Sequence, residues 1–119
     1  MPFTVTVDRG PNHLSLAVAG HASLKNYFDL IELAARETAG GGVARVLVDL
    51  RGVIGRLHES DQRFIGETVV EKLAHLQRVA CVVAGDPSTY NSELAAQAKG
   101  FGLRTFATPG DAQAWLLGP

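Results

Sequence analysis

Serine, histidine and carboxylates stand together once in this chain, at His58-Glu59-Ser60-Asp61, which is the first place to look for chemistry. A hydrolytic triad needs members that converge in space, whereas adjacent residues entering a helix point in different directions. No G-x-S-x-G elbow accompanies them. Ser60 suits phosphorylation better, because added negative charge at a helix start is stabilised by the dipole and alters the recognition surface. A plain N-cap accounts for the same serine. The four histidines, His13, His21, His58 and His75, show no H-x-x-x-H or H-x-H spacing, so solvated or capping roles are expected in place of metal ligation. The single cysteine, Cys81, lies among apolar neighbours and reads as a buried, inert thiol. It leaves no intrachain disulfide framework and no multi-cysteine zinc site. No metal or cofactor is expected.

These side chains must be held by a chain of 119 residues and 12.6 kDa, which reads as a single domain over residues 1–119. Hydrophobic residues make up 46% and charged residues 19%, a globular composition that excludes a disordered tail. Eleven basic against twelve acidic residues give a net charge of -1, with no basic run, so a nucleic-acid surface is not expected. No apolar run reaches the ~20 residues of a membrane span, and no basic-then-apolar leader opens the sequence. The cytoplasm is the expected compartment.

Phe3 to Val7 and His13 to Val18 alternate apolar and polar side chains, which predicts two strands joined through Gly10-Pro11-Asn12, with Gly20 closing the second. Ser23 is placed to cap a helix whose stripe is Leu24, Tyr27, Phe28, Ile31 and Ala34-Ala35, with Glu32 and Arg36 paired on another face. Gly40-Gly41-Gly42 ends it; with no lysine-serine or lysine-threonine pair following, a connecting loop is preferred to a phosphate loop. The run Val46-Leu47-Val48 is apolar on both faces, as an inner parallel strand requires, and the chain then loops from Val53 to His58. Ser60 or a neighbour caps the next helix, buried through Ile65, Val69, Leu73 and Leu76 with Phe64 and Val70 alongside. Arg78 to Ala84 is a second doubly apolar strand. A short helix follows over Ser92 to Lys99, buried through Leu94, Ala95 and Ala98. Leu103 to Phe106 forms a last strand, and Thr108-Pro109-Gly110-Asp111 starts a helix docked by Ala112, Trp115 and Leu116. Tyr27, Phe28 and Trp115 read as core.

The resulting order, β-β-α-β-α-β-α-β-α, predicts an α/β fold with a mostly parallel five-stranded sheet opened by an antiparallel N-terminal strand. Because the inner strands are apolar on both sides, either a helix or another subunit must cover their second face. Parallel strands gather ligands at their C-terminal ends. That places His21, Ser23, Asp49, Arg51, Arg56, His58, Ser60, Asp86, Ser88, Thr89, Tyr90, Asn91 and Thr108 on one rim, with Asp49, Arg51, Arg56, Asp86, Ser88 and Tyr90 as candidate contacts for an anionic or polar small molecule. The same residue types serve local caps and turns. Asp49 reads first as a loop-anchoring carboxylate and second as a general base.

Val46-Leu47-Val48-Asp49-Leu50-Arg51-Gly52-Val53, the strand Arg78 to Val83, and Phe106 with Asp111-Ala112-Gln113-Ala114-Trp115-Leu116 resemble the SpoIIAA-like group of STAS domains, itself related to Sec14-type lipid-binding domains. The resemblance covers nearly the whole chain in element order. It implies a small, singly wound α/β domain that acts by binding. In the phosphorylatable antagonists of that group, the strand with the Asp-Leu-x-Gly pattern leads to a serine at the next helix start. Asp49-Leu50-Arg51-Gly52 matches the strand, but His58 falls at the serine's place and the usual aspartate-serine pair is missing. After a small loop shift, Ser60 is the candidate, with His58 beside it.

The expectation is a non-catalytic regulatory module that binds a protein partner or a second copy of itself. The alternative is a carrier or sensor of a small apolar or anionic ligand. No convergent set of acid, base and nucleophile supports an enzyme.

Overall fold

The computed structural model describes residues 1–90 and 92–119, and the side chains of all of these except Thr89, Ser92, Glu93 and Leu94. The elements follow in the expected order: β1 (Thr4–Arg9), β2 (Leu14–His21), α1 (Leu24–Thr38), β3 (Arg45–Ile54), α2 (Glu59–Lys72), β4 (Arg78–Val82), α3 (Ser92–Gln97), β5 (Leu103–Phe106) and α4 (Pro109–Leu117). A 3-10 turn over Pro87–Thr89 precedes α3. The strands lie side by side in sequence order, with β1 antiparallel to β2 and every other pair parallel.

Alternation in β2 sends Leu14, Leu16 and Val18 into the main core. There they meet Val46 and Val48 of β3, Val79 of β4, and Leu103 of β5. Leu30, Ile31 and Ala34 of α1 cover them, with Ile65 and Val69 of α2 and Ala96 of α3. On the opposite face, Leu47, Ala80 and Val82 pack against Ala112 and Leu116 of α4, with Phe106 and Trp115 at the edge. A helix of this chain therefore covers the second face of the inner strands. Three helices lie on one face and one on the other, so the single winding implied by the resemblance holds for α1 to α3 and not for α4.

Local signals set the helix ends. Ser23 Oγ accepts from the Asn26 amide at 3.1 Å and Thr108 Oγ1 from the Asp111 amide at 3.2 Å, each satisfying a donor with no intrahelical partner. At the far end of α4, Arg45 Nη1 donates to Leu116 O at 2.9 Å and Arg78 Nη2 to Pro119 O at 2.7 Å. Guanidinium donors there complement both the free carbonyls and the negative end of the dipole.

Several expectations are corrected. β3 runs on to Ile54, because β2 continues through Gly20 and His21 and pairs with Val53 and Ile54. Val53 and Ile54 are thus strand, not loop. The α2 N-cap is His58, two residues before Ser60, since the chain leaves the sheet through the short turn at Gly55 (φ 83°). Phe64 is 51% exposed instead of lying beside the buried stripe. In α3 it is Ala96 that is buried, while Ala98 is exposed; Leu94 and Asn91 fall outside what is described. Glu32 reaches across to Lys72 of α2 at 3.5 Å in place of Arg36.

Candidate functional site

The rim residues do not converge on one site: Asp49 and Arg51 stand on the opposite side of the sheet from Arg56 and Tyr90. Asp49 and Arg51 lie within β3, on the α4 side of the sheet but beyond α4, where Thr4, Thr6, Ala17, Ala19 and Gly52 surround them. Ala17 pairs with Asp49 and Ala19 with Gly52, so β3 carries one extra residue between them, a bulge. Asp49 Oδ1 accepts from the Arg51 amide at 3.1 Å and from Arg51 Nε at 3.0 Å, and Asp49 Oδ2 from Arg51 Nη2 at 2.7 Å. The carboxylate thereby satisfies an amide beside the bulge, the anchoring role expected of it, although the anchored segment is strand. The Arg51 side chain is the largest influence holding the Asp49 carboxyl below its ordinary value, so it stands as a paired anion.

Asp86 and Ser88 form a local cap: Asp86 Oδ1 accepts from the Ser88 amide at 2.9 Å and its hydroxyl at 2.8 Å. These bonds hold the Asp86 carboxyl below its usual range. His21 is exposed, and its carbonyl accepts from Asn26 Nδ2 at 2.9 Å. Thr108 is the α4 cap, far along the chain from the other rim residues. Thr89 and Asn91 fall outside the described side chains.

Arg56 and Tyr90 do come together, with the guanidinium 4.0 Å above the ring centroid. They border a cavity of about 40 Å³ that Tyr27, Leu50, Gly55, Leu57, Gln62 and Ile65 complete. Tyr27, Leu50 and Ile65 also line an adjoining apolar cavity of about 70 Å³ beneath α1 and α2. Burial pushes the Tyr27 phenol up to about 12, with Cys81 and Tyr90 acting the same way and Arg56 opposing. Pockets for lipid-sized ligands run to roughly 300 Å³ or more, so neither cavity is a lipid tunnel.

His58 and Ser60 stand at the start of α2. His58 accepts the first intrahelical bond from the Gln62 amide through its carbonyl, at 2.9 Å, but its imidazole makes no capping bond. Ser60 and His58 are both exposed, with Glu59 and Asp61 in the first turn. One helical turn beyond Ser60 stands Phe64, its ring edge-on to Phe28 of α1 at 5.5 Å between centroids. Sequence reasoning missed this aromatic pair, because Phe64 directly precedes Ile65 of the buried stripe. The signal was its i, i+4 spacing from Ser60, on the flank away from Ile65 and Val69. Reasoning also missed Tyr27 and Gln62 as cavity-lining residues. Among the described residues, no group of three or more His, Cys, Asp or Glu side chains could hold a metal ion, and no helix is long and apolar enough to cross a membrane.

This arrangement of sheet and helices is a SpoIIAA-like fold. An uncharacterized protein of the DUF3478 family with a SpoIIAA-like fold, from Shewanella loihica PV-4, superposes with a TM-score of 0.58 at 21% identity, over 97% of this chain and 93% of that one. An anti-sigma factor antagonist from Mycobacterium paratuberculosis gives 0.64 at 22% identity, over 96% and 93%. The unphosphorylated form of the anti-sigma factor antagonist SpoIIAA gives 0.58 at 11% identity, over 98% and 100%. No family model and no curated protein matches the chain.

Proposed function

We propose that this protein is a non-catalytic regulatory module whose docking surface is the start of α2 with the neighbouring aromatic pair, and that phosphorylation of Ser60 switches it. The observation that carries this reading is the exposed serine one turn from a large aromatic side chain that remains 51% exposed. A partly exposed aromatic ring offers the large, rigid contact area from which interface anchors are made. Two of the structural neighbours are anti-sigma factor antagonists, which favours a protein partner over a substrate. Phosphate on Ser60 would sit among first-turn amides that the His58 side chain leaves uncapped, at the positive end of the helix. It would also set a dianion beside Glu59 and Asp61 and change the charge of the docking face.

Ser60→Asp tests the switch. Partner binding is expected to fall while the unfolding midpoint stays close to wild type, because acids are favourable in the first turn. A variant that bound the partner unchanged would remove Ser60 from the mechanism. Turnover by the purified protein, lost on substituting His58 or Asp49, would overturn the non-catalytic assignment.

A further inference from the structure

The edge strand β1 presents a template for main-chain pairing that the docking role does not use. Among the described residues β1 pairs with β2 alone, in an unbroken antiparallel register from Thr4 opposite Ala19 to Arg9 opposite Leu14. The Gly10 amide donates to His13 O at 2.9 Å, so Gly10 and His13 form a hydrogen-bonded pair. Alternation along the ladder then turns the main-chain groups of Thr4, Thr6 and Asp8 toward β2 and those of Val5, Val7 and Arg9 outward. Among the described residues no main-chain partner meets these outward groups. The side chains of the same three residues lie on the α1 face, opposite Val18, Leu16 and Leu14 of the core. Val7 nevertheless remains 38% exposed. Leu33 of α1, half-buried, stands one turn before Glu37, which pairs with Arg9 at the same edge. Soluble proteins guard such edges with brevity, lysine, proline or a bulge. The other edge, β5, is four residues long and carries Arg104. Thr4 to Val7 has none of these guards, and the charges of Asp8 and Arg9 come only at the end of the strand.

We propose that β1 pairs antiparallel with β1 of a second copy of this chain, about a two-fold axis through Thr6, joining two five-stranded sheets into one. An axis normal to the sheet keeps every side chain on its own face, so outward residues meet outward residues. With Thr6 opposite itself, Val5 of each copy meets Val7 of the other in a hydrogen-bonded pair, and these β-branched contacts cover the exposed Val7. Thr4 of each copy meets Asp8 of the other, a hydroxyl donor against a carboxylate. Centring the axis on Val7 brings the two Asp8 side chains diagonally close, and centring it on Asp8 sets them face to face, so like charge disfavours both alternatives. A second copy supplies the matched set by symmetry, and the pairing consumes the long edge, so assembly closes at two. The seam is six residues long on each side, small beside the roughly 800 Å² per partner of a standard interface, and a dissociation constant of about 100 µM is expected. Such a pair separates on dilution and is therefore distinct from a partner that stays bound through isolation.

The test is sedimentation of the intact protein from about 10 µM to about 1 mM, with residue-resolved hydrogen exchange at both ends of that range. A monomer–dimer equilibrium is expected. The Val5 and Val7 amides are expected to exchange about fourfold more slowly at the higher concentration, while those of Thr6 and Asp8, already bonded to β2, change little. Val7→Lys sets a charge in the seam from a partly exposed position, and is expected to weaken association roughly tenfold or more with the unfolding midpoint close to wild type. A wild-type protein that stays monomeric at the highest concentration would overturn the proposal, as would a dimer without the alternating protection. Growth beyond two copies, or a folded Val7→Lys that associates as tightly as wild type, would overturn it equally.

Discussion

Among single residues, Gly52 has a stringent requirement, the absence of a side chain. A Cβ built there would lie 2.7 Å from Val18 O and 3.1 Å from Ala19 Cβ, because the bulge presses β3 onto β2. Gly52→Ala is therefore expected to destabilise by roughly 1–3 kcal/mol in chemical denaturation, the range for overpacking a rigid site. Gly110, with open space around it in the first turn of α4, provides the opposite case: Gly110→Ala is expected to be neutral or stabilising. Asp49 gives a pH dependence whose sign is fixed. Its carboxyl is lowered in the folded state, so the stability it contributes is present above the ordinary carboxylate value of about 4 and is lost as pH falls through the folded value. Urea midpoints measured from pH 6 downward should fall less steeply for Asp49→Asn than for wild type; parallel curves would show that the Arg51 pair adds nothing to folding.

α4 shows how an element's contribution follows from what it covers. Its Trp115 is half-buried, 5.8 Å from Phe106 between centroids, with the Arg78 guanidinium 5.1 Å from its ring. Trp115→Ala is expected to cost roughly 2 kcal/mol, less than the 3–5 of a fully buried aromatic, with loss of protection in α4 by hydrogen exchange. A change within error would mean that Ala112 and Leu116 alone hold the helix. The start of α4 was legible because Thr108, Pro109 and Asp111 each carry a local mechanism. The end of β3 was not, because nothing local to Arg51-Gly52-Val53-Ile54 reveals that β2 extends to His21 and supplies partners. The same distinction applies to α2: the helix was readable from Ile65, Val69 and Leu73, but its first residue depended on where the strand before it stopped. Asn26, whose amide ties α1 to Met1 O and His21 O, both at 2.9 Å, reads in sequence as an ordinary polar helix position.

For the molecule as a whole, the element order and the apolar character of β3 and β4 made the sheet readable, together with the need for cover on both faces. Which group provides that cover is a tertiary fact, and α4 supplies it for Leu47, Ala80 and Val82 only. The candidate site was less legible, since strand ends were assumed to define one rim. The extended β3 instead leaves Asp49 and Arg51 on one side of the sheet and Arg56 with Tyr90 on the other. What remains exposed and apolar above α1 and α2 is Phe64, edge-on to half-buried Phe28 and one turn from Ser60, and the account of this protein as a docking module rests there. The most direct measurement is native mass spectrometry of the protein isolated from its own host, wild type beside Phe64→Arg. Wild type is expected to carry a protein partner that Phe64→Arg loses while remaining folded. A partner or dimer retained equally by both would contradict the assignment of this face, and a wild-type protein that is bare under all conditions would contradict the docking role itself.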